Sequence, residues 1–351
     1  MPDNELDLRD ELDSHRRAVD TEYFDLSIRE IVRMVEDLEI NVVPSYQRQF
    51  RWDDDTQSEL IESLLLGLPI PAIFVATNRD GTWDVVDGLQ RISTILRFRG
   101  VDVPASNINL QFSQRKLSLT NLSQLSGFIG VTYDDLPKSI QLMLDRRYLR
   151  VQVLSDKSDV DVRFELFRRL NAGAVELTPQ EIRTAVFMGP FMYLIEELSQ
   201  MKQYQSLLKL KKGNLFDGTA AEIVLKFFAY LDRMDNFDGK VTRFLNDYMK
   251  HRLADTDLAA DRNLFVEVTE FLSEVVGGPF LRNRVTVTPI NQLEAVLIGI
   301  GRVIRSGKKL VKPPNGWEND EVLVEASTKG TNSRSMLFRR IERAEELFSK
   351  K

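Results

Sequence analysis

Thr82-Trp83-Asp84-Val85-Val86-Asp87-Gly88-Leu89-Gln90-Arg91-Ile92-Ser93-Thr94-Ile95-Leu96-Arg97-Phe98 passes from a strand pattern into a helical one across a single tight turn. The strand is expected over residues 82–86 and the helix over 92–98, with Gly100 as its stop. A strand that turns sharply into a helix presents free backbone N–H groups and the positive end of the helix dipole. Phosphates bind readily at such a place. The turn, Asp87-Gly88-Leu89-Gln90-Arg91, adds a carboxylate, a carboxamide and a guanidinium within five positions. Glycine lets the backbone approach a ligand closely. Arg91 can fork onto a phosphate and Gln90 can hydrogen-bond beside it. Asp87 can hold a metal ion or polarise a water. The competing reading is a surface turn with an Asp-Gly pair and an amphipathic helix behind it.

Just upstream, Arg79-Asp80-Gly81-Thr82 carries an Asp-Gly hairpin signal that joins this strand to a second one, Ala72-Ile73-Phe74-Val75-Ala76. Upstream, residues 26–38 read as a helix with Ile28, Ile31, Val32 and Val35 on one face. Asp53-Asp54-Asp55-Thr56-Gln57 starts another, with Asp54 and Gln57 at capping-box spacing and Gly67 as the stop. Downstream, 149–154 is a further strand. From 159 on the pattern is mostly helical. Thr178-Pro179-Gln180-Glu181 is a strong helix start, and Thr219-Ala220-Ala221-Glu222 repeats the capping spacing. Further helices are expected near 243–251, 264–276, 292–304 and 336–349.

Composition narrows the function classes. Hydrophobic residues make up 43% of the 351 positions, enough for a packed core, and no apolar run is long enough to cross a bilayer. The N-terminus is acidic with no apolar signal region, so a cytoplasmic location is expected. The chain has no cysteine, which removes disulfides, thiol nucleophiles and zinc–thiolate sites. Its two histidines, His15 and His251, have no local partner for a histidine metal site. A net charge of −6 argues against a whole-surface grip on nucleic acid. Charge is uneven, however: residues 1–39 hold 13 acids against five Lys/Arg. Arg302, Arg305, Lys308, Lys309 and Lys312 form the best candidate contact for a nucleic-acid backbone, against the reading of a solvated helix end.

Three segments together resemble one family. They are Val43-Pro44-Ser45-Tyr46-Gln47-Arg48-Gln49-Phe50-Arg51-Trp52, the Asp87–Arg91 turn with its helix, and Leu166-Phe167-Arg168-Arg169-Leu170-Asn171-Ala172-Gly173 running on to Leu177-Thr178-Pro179-Gln180-Glu181-Ile182-Arg183. Their order and spacing resemble the bacterial proteins of domain of unknown function 262, related to the N-terminal module of GmrSD-type restriction enzymes. The resemblance implies a ParB/sulfiredoxin-like fold, nucleoside triphosphate binding and hydrolysis at an Asp-Gly-Gln-Gln-Arg motif, DNA nicking in some members, and antiviral defence or restriction-modification. Carried over, Asp87, Gly88, Gln90 and Arg91 match; Leu89 departs, standing where the family usually has glutamine. Longer relatives carry a His-Asn-His-type nuclease domain that two histidines cannot build.

The expected class is α+β: an acidic arm over 1–24, a small ParB/sulfiredoxin-like mixed-sheet unit over 25–157, and a mainly α-helical domain over 158–351. Asp87, Gln90 and Arg91 are the candidate catalytic residues. Tyr46, Gln47, Arg48, Gly88 and Arg91 are the candidate nucleotide- or phosphate-binding set, with Asp87 as a Mg2+ ligand. The expected activity is binding of nucleoside triphosphate, with hydrolysis weakened by Leu89, and action on DNA. The alternatives are a non-catalytic nucleotide-sensing adaptor of a partner nuclease in trans and a metal-dependent DNA nickase. A homo-oligomer is a further expected assembly.

Overall fold

The computed structural model describes residues 21–42, 52–78, 80–101, 116–155, 160–170, 177–211, 214 and 217–350. The chain divides into two compact units, Met1–Glu176 and Leu177–Lys351.

The first unit is built on a five-stranded mixed sheet in the order β1-β5-β3-β4-β2. Its strands are β1 Thr21–Ser27, β2 Ile40–Asn41, β3 Ile73–Thr77, β4 Trp83–Asp87 and β5 Tyr148–Leu154. β1 corrects the sequence reading, which placed these residues partly in an arm and partly in a helix. Phe24 and Leu26 alternate inward, and the whole strand pairs antiparallel with β5, from Thr21 opposite Leu154 to Ser27 opposite Tyr148. That partner lies more than a hundred residues away, and no local pattern announces it.

The helix expected from residue 26 therefore begins at Ile28. Ser27 caps it by accepting from the Glu30 N–H, and α1, Ile28–Glu36, buries Ile28, Ile31, Val32 and Val35 as the spacing predicts. α2, Asp54–Leu66, is capped by Asp53 rather than Asp54: Asp53 accepts from the Thr56 N–H at 2.8 Å. Gln57 does not reach back to a cap N–H; its Nε2 donates to the carbonyls of Trp52 and Asp53. Gly67 ends α2 in the left-handed region, at φ 75°.

β3 and β4 form the expected antiparallel hairpin, and their register shifts between Phe74 and Val75, opposite the end of β4. β4 feeds directly into α3, Leu89–Arg99, which starts three residues before the expected Ile92. Ile73, Val75, Val85, Leu149, Val151 and Val153 cover one face of the sheet and pack with apolar side chains of α1, α2 and α3. α4, Lys138–Asp145, precedes β5, and α5, Val160–Leu170, completes the described part of this unit.

The second unit is helical: α6 Pro179–Val186, α7 Pro190–Ser199, α8 Lys202–Ser206, α9 Thr219–Arg233, α10 Val241–Arg252, α11 Ala259–Val276, α12 Ile290–Arg305, α13 Glu321–Ala326 and α14 Arg334–Phe348. The Thr178/Glu181 capping box forms as read, with Pro179 in the first turn. The second one does not: Gly218 occupies the cap of α9, and the Thr219 N–H and hydroxyl bond Asp217 instead. Phe191, Phe227, Phe228 and Phe265 pack edge-on in the interior. Beside them runs a buried chain of ion pairs, Arg183–Glu222–Lys226–Glu294, with spacings of 2.9–3.0 Å. Among the described residues no helix is long and apolar enough to cross a membrane.

Candidate functional site: the turn between β4 and α3

Gly88 is the N-cap of α3 and holds φ 102°, where side chains are strained. It also has no room for one, since a Cβ would lie 2.6 Å from Ile73 Cδ1. Without a side chain it supplies no capping bond. The intrahelical ladder opens with Ile92 N–H to Gly88 O at 2.9 Å, so the N–H groups of Leu89, Gln90 and Arg91 precede it.

The three polar side chains of the turn are each held. Arg91 Nη2 lies 2.5 Å from Asp87 Oδ2, a pair spanning the turn, and 3.4 Å from the Ala72 carbonyl. Its Nε is buried with no hydrogen-bond partner among the described residues. The Arg91 side chain is 13% exposed and that of Asp87 36%, so an incoming ligand meets the carboxylate more readily than the guanidinium. Gln90 Oε1 accepts from the Trp52 N–H at 3.2 Å. α2 is tied to α3 a turn further on, where Arg97 donates to Asp54 and Gln57 at 2.6 and 3.0 Å.

Leu89 faces the other way. It is 6% exposed and belongs to the hydrophobic core. The position that departs from the family motif is therefore a core position in this chain, not a missing polar contact in the turn. The polar side chains around it, Asp87, Gln90 and Arg91, give no sign of that orientation in the motif.

Asp84, the nearest other acid of β4, is buried. It accepts from Asn41 Nδ2 at 3.0 Å, and Asn41 is its register partner on β2. Burial raises its carboxyl above the usual range, with hydrogen bonds from Asn78 and Asn41 pulling the other way. It fastens the edge strand to β4. Among the described residues no three His, Asp or Glu side chains gather as a metal cluster. A Mg2+ ion needs fewer protein ligands when it takes phosphate oxygens, one or two carboxylates being enough. Asp87, partly exposed, is the carboxylate of this turn, and its Oδ2 pairs with Arg91.

Other sequence candidates separate from this turn. Tyr46, Gln47 and Arg48 lie outside the described residues, as do Asn171 and Gly173; the first of these segments re-enters at Trp52, against Gln90. Arg168 and Arg169 both pair with Glu165 at 2.7 Å. The Arg168 hydrogen bond leads in holding that carboxyl down at about 2. Glu181 is a cap, and Arg183 is buried in the ion-pair chain of the second unit. The basic run at the end of α12 is largely compensated. Arg302 and Lys308 pair with Glu345 at 3.1 and 3.0 Å, and Arg305 pairs with Asp232 at 2.6 Å. Lys309 makes no ion pair among the described residues.

Residues 28–188 match the family model of the GmrSD restriction endonuclease N-terminal domain. The match runs from α1 through α6, includes the whole Asp87–Arg91 turn, and takes in somewhat under half of the chain. No curated protein and no solved structure matches.

Proposed function

We propose, from the premise that residues 28–188 carry a GmrSD-type N-terminal module, that this chain is a restriction-type defence protein acting on DNA that binds a nucleoside triphosphate at the Asp87–Arg91 turn. The observation that carries the nucleotide part is the placement of Arg91. A largely sequestered guanidinium sits in the first turn of α3, behind an uncapped glycine N-terminus, with its charge balanced by one partly exposed carboxylate.

A triphosphate offers what this turn lacks. Its oxygens accept from the α3 N–H groups and from Arg91, and its Mg2+ takes Asp87. Each charge-assisted hydrogen bond contributes about 1.5–3 kcal/mol. A micromolar ligand needs about 8 kcal/mol. Three or four such contacts reach that without a Walker loop, and the sequence contains none. In hydrolysis Asp87 would orient the metal or the attacking water, Arg91 would neutralise charge on the phosphoryl oxygens, and Gln90, fixed by Trp52, would direct water or ribose. Because Leu89 is a core residue, the departure from the family motif leaves these polar roles intact.

The Arg91–Asp87 contact also supports a second reading, that of a sensor. A phosphate that recruits Arg91 must compete with Asp87, so binding rearranges the turn whether or not a bond is cleaved. Cleavage of DNA would then fall to a nuclease partner in trans. The separating experiment gives the purified chain each nucleoside triphosphate with Mg2+ and follows binding, phosphate release and nicking of supercoiled DNA. Turnover abolished in Arg91→Ala supports the hydrolase, and saturable binding without turnover supports the sensor. Nicking independent of nucleotide supports the metal-dependent nickase. Absence of nucleotide binding overturns the phosphate site.

A further inference from the structure

The outer face of the β1–β5 ladder carries a different chemistry from the turn. Along β5, Tyr148, Arg150 and Gln152 alternate with the buried Leu149, Val151 and Val153. They therefore project from the face away from the core. Across the ladder, Tyr23 stands opposite Gln152 and Asp25 opposite Arg150, so all five share that face. Tyr23 is 62% exposed and Tyr148 71% exposed, well beyond the partial burial usual for tyrosine. No ring contact among the described residues involves Tyr148.

At the Tyr148 end this face opens into a groove of about 680 Å3, whose lining includes Leu68, Arg146, Arg147, Tyr148, Arg150 and Asp25. Among the described residues the groove holds three guanidinium groups against one carboxylate, on a chain whose net charge is −6. Asp25 neutralises Arg150 through two bonds of 3.0 and 3.1 Å. Arg146 is exposed and makes no ion pair among the described residues. Arg147 arches over Gly67, where a Cβ would lie 2.7 Å from its Nη2; among the described residues its guanidinium donates to the Leu65 carbonyl alone, at 3.3 Å, and its buried Nε has no partner. Among the described residues two guanidinium groups thus have no carboxylate partner beside an exposed ring.

We propose that this face binds single-stranded DNA, with Tyr148 and Tyr23 stacking on bases and Arg146 and Arg147 contacting the phosphates between them. The inference rests on the DNA half of the function proposed above and not on the nucleotide half. Exposed rings on a sheet beside cationic side chains are how sequence-tolerant single-strand binding is built, because every base has a stackable face. A duplex hides those faces and would use only the arginines. Tyr148 and Gln152 are four residues apart, about 13 Å along the strand. The two rings therefore suit separate bases of one extended strand better than a single nucleotide. The groove also adjoins the turn: Ala72 lines it and gives its carbonyl to Arg91.

The test uses the full chain, without nucleotide, and fluorescein-labelled oligothymidylate read by fluorescence anisotropy, with a duplex of equal length as comparison. The single strand is expected to bind more tightly than the duplex. Tyr148→Ala should weaken binding on the order of tenfold while Tyr148→Phe retains it. Arg146→Ala should lower the salt slope by about 0.7. Both positions are exposed, so thermal unfolding of the variants should match the parent. Equal binding by Tyr148→Ala and the parent, a preference for duplex, or no binding of the single strand would each overturn the proposal. Nucleotide affinity measured on the same Tyr148→Ala protein keeps the two ideas apart, since it should be unchanged.

Discussion

Arg91 and Asp87, four residues apart, close on each other at 2.5 Å across the cap of α3, so the one cation of the turn is held by the carboxylate beside it. Gly88 lies between them and makes this possible. Its backbone takes a conformation that side chains resist, and its missing Cβ leaves space for Ile73 and for the Arg91 guanidinium, which would sit 3.2 Å away.

Gly88→Ala should therefore damage both fold and site. Strain at positive φ costs about 1–3 kcal/mol, and the added methyl must displace Ile73, which is fully buried. A drop in the urea unfolding midpoint together with weakened nucleotide binding is expected. An unchanged midpoint would mean that the turn adopts another conformation.

Leu89→Gln tests the orientation of the motif's departing residue. A glutamine there puts a carboxamide into the core of the first unit. Glutamine is close to leucine in size and leaves no large cavity, so the main cost is the unpaired buried amide, about 1–3 kcal/mol. The expected result is a less stable protein with no gain in hydrolysis. A variant as stable as the parent that turns over nucleotide faster would show that position 89 faces the ligand.

Much of this was legible in the sequence, and the failures have a common cause. The apolar face of Ile28, Ile31, Val32 and Val35, the β3–β4 hairpin and the Thr178 capping box are local patterns, and each is present, although that helix spans only Ile28–Glu36. β1 was missed because its partner β5 is remote in sequence. Asp53 replaced Asp54 as cap, and Gly218 displaced Thr219, because a cap is decided by the backbone angles of one residue. At the turn, residue types pointed to the phosphate chemistry proposed here, but they did not reveal that Leu89 points inward or that Trp52 fixes Gln90. The exposed face of β5 was readable in principle, since Tyr148-Leu149-Arg150-Val151-Gln152-Val153 alternates strictly, but an aromatic at an outward position signals only when its strand partner is known.

Acid should destabilise the second unit through Glu222. Burial raises this carboxyl, but Lys226 and Arg183 outweigh burial and hold it at about 2. A folded value below the usual 4.5 places its contribution above that pH and removes it as pH falls toward about 2. The contribution at neutral pH is about 3 kcal/mol. In urea unfolding across that window the parent should lose stability steeply, and Glu222→Gln should show a shallower slope from a lower plateau, since Arg183 and Lys226 lose a partner. Parallel slopes in the two proteins would place the titration elsewhere.

If Arg91 holds nucleotide phosphate at the α3 cap, titration calorimetry of the parent and Arg91→Ala with a nucleoside triphosphate and Mg2+ will separate the two proteins. The parent should bind saturably. Loss of one charge-assisted contact, about 1.5–3 kcal/mol, should weaken Arg91→Ala by roughly ten- to a hundredfold, with Arg91→Lys restoring only part because it cannot fork. Equal affinity in parent and Arg91→Ala, or no binding in the parent, would show that Arg91 holds no nucleotide phosphate there.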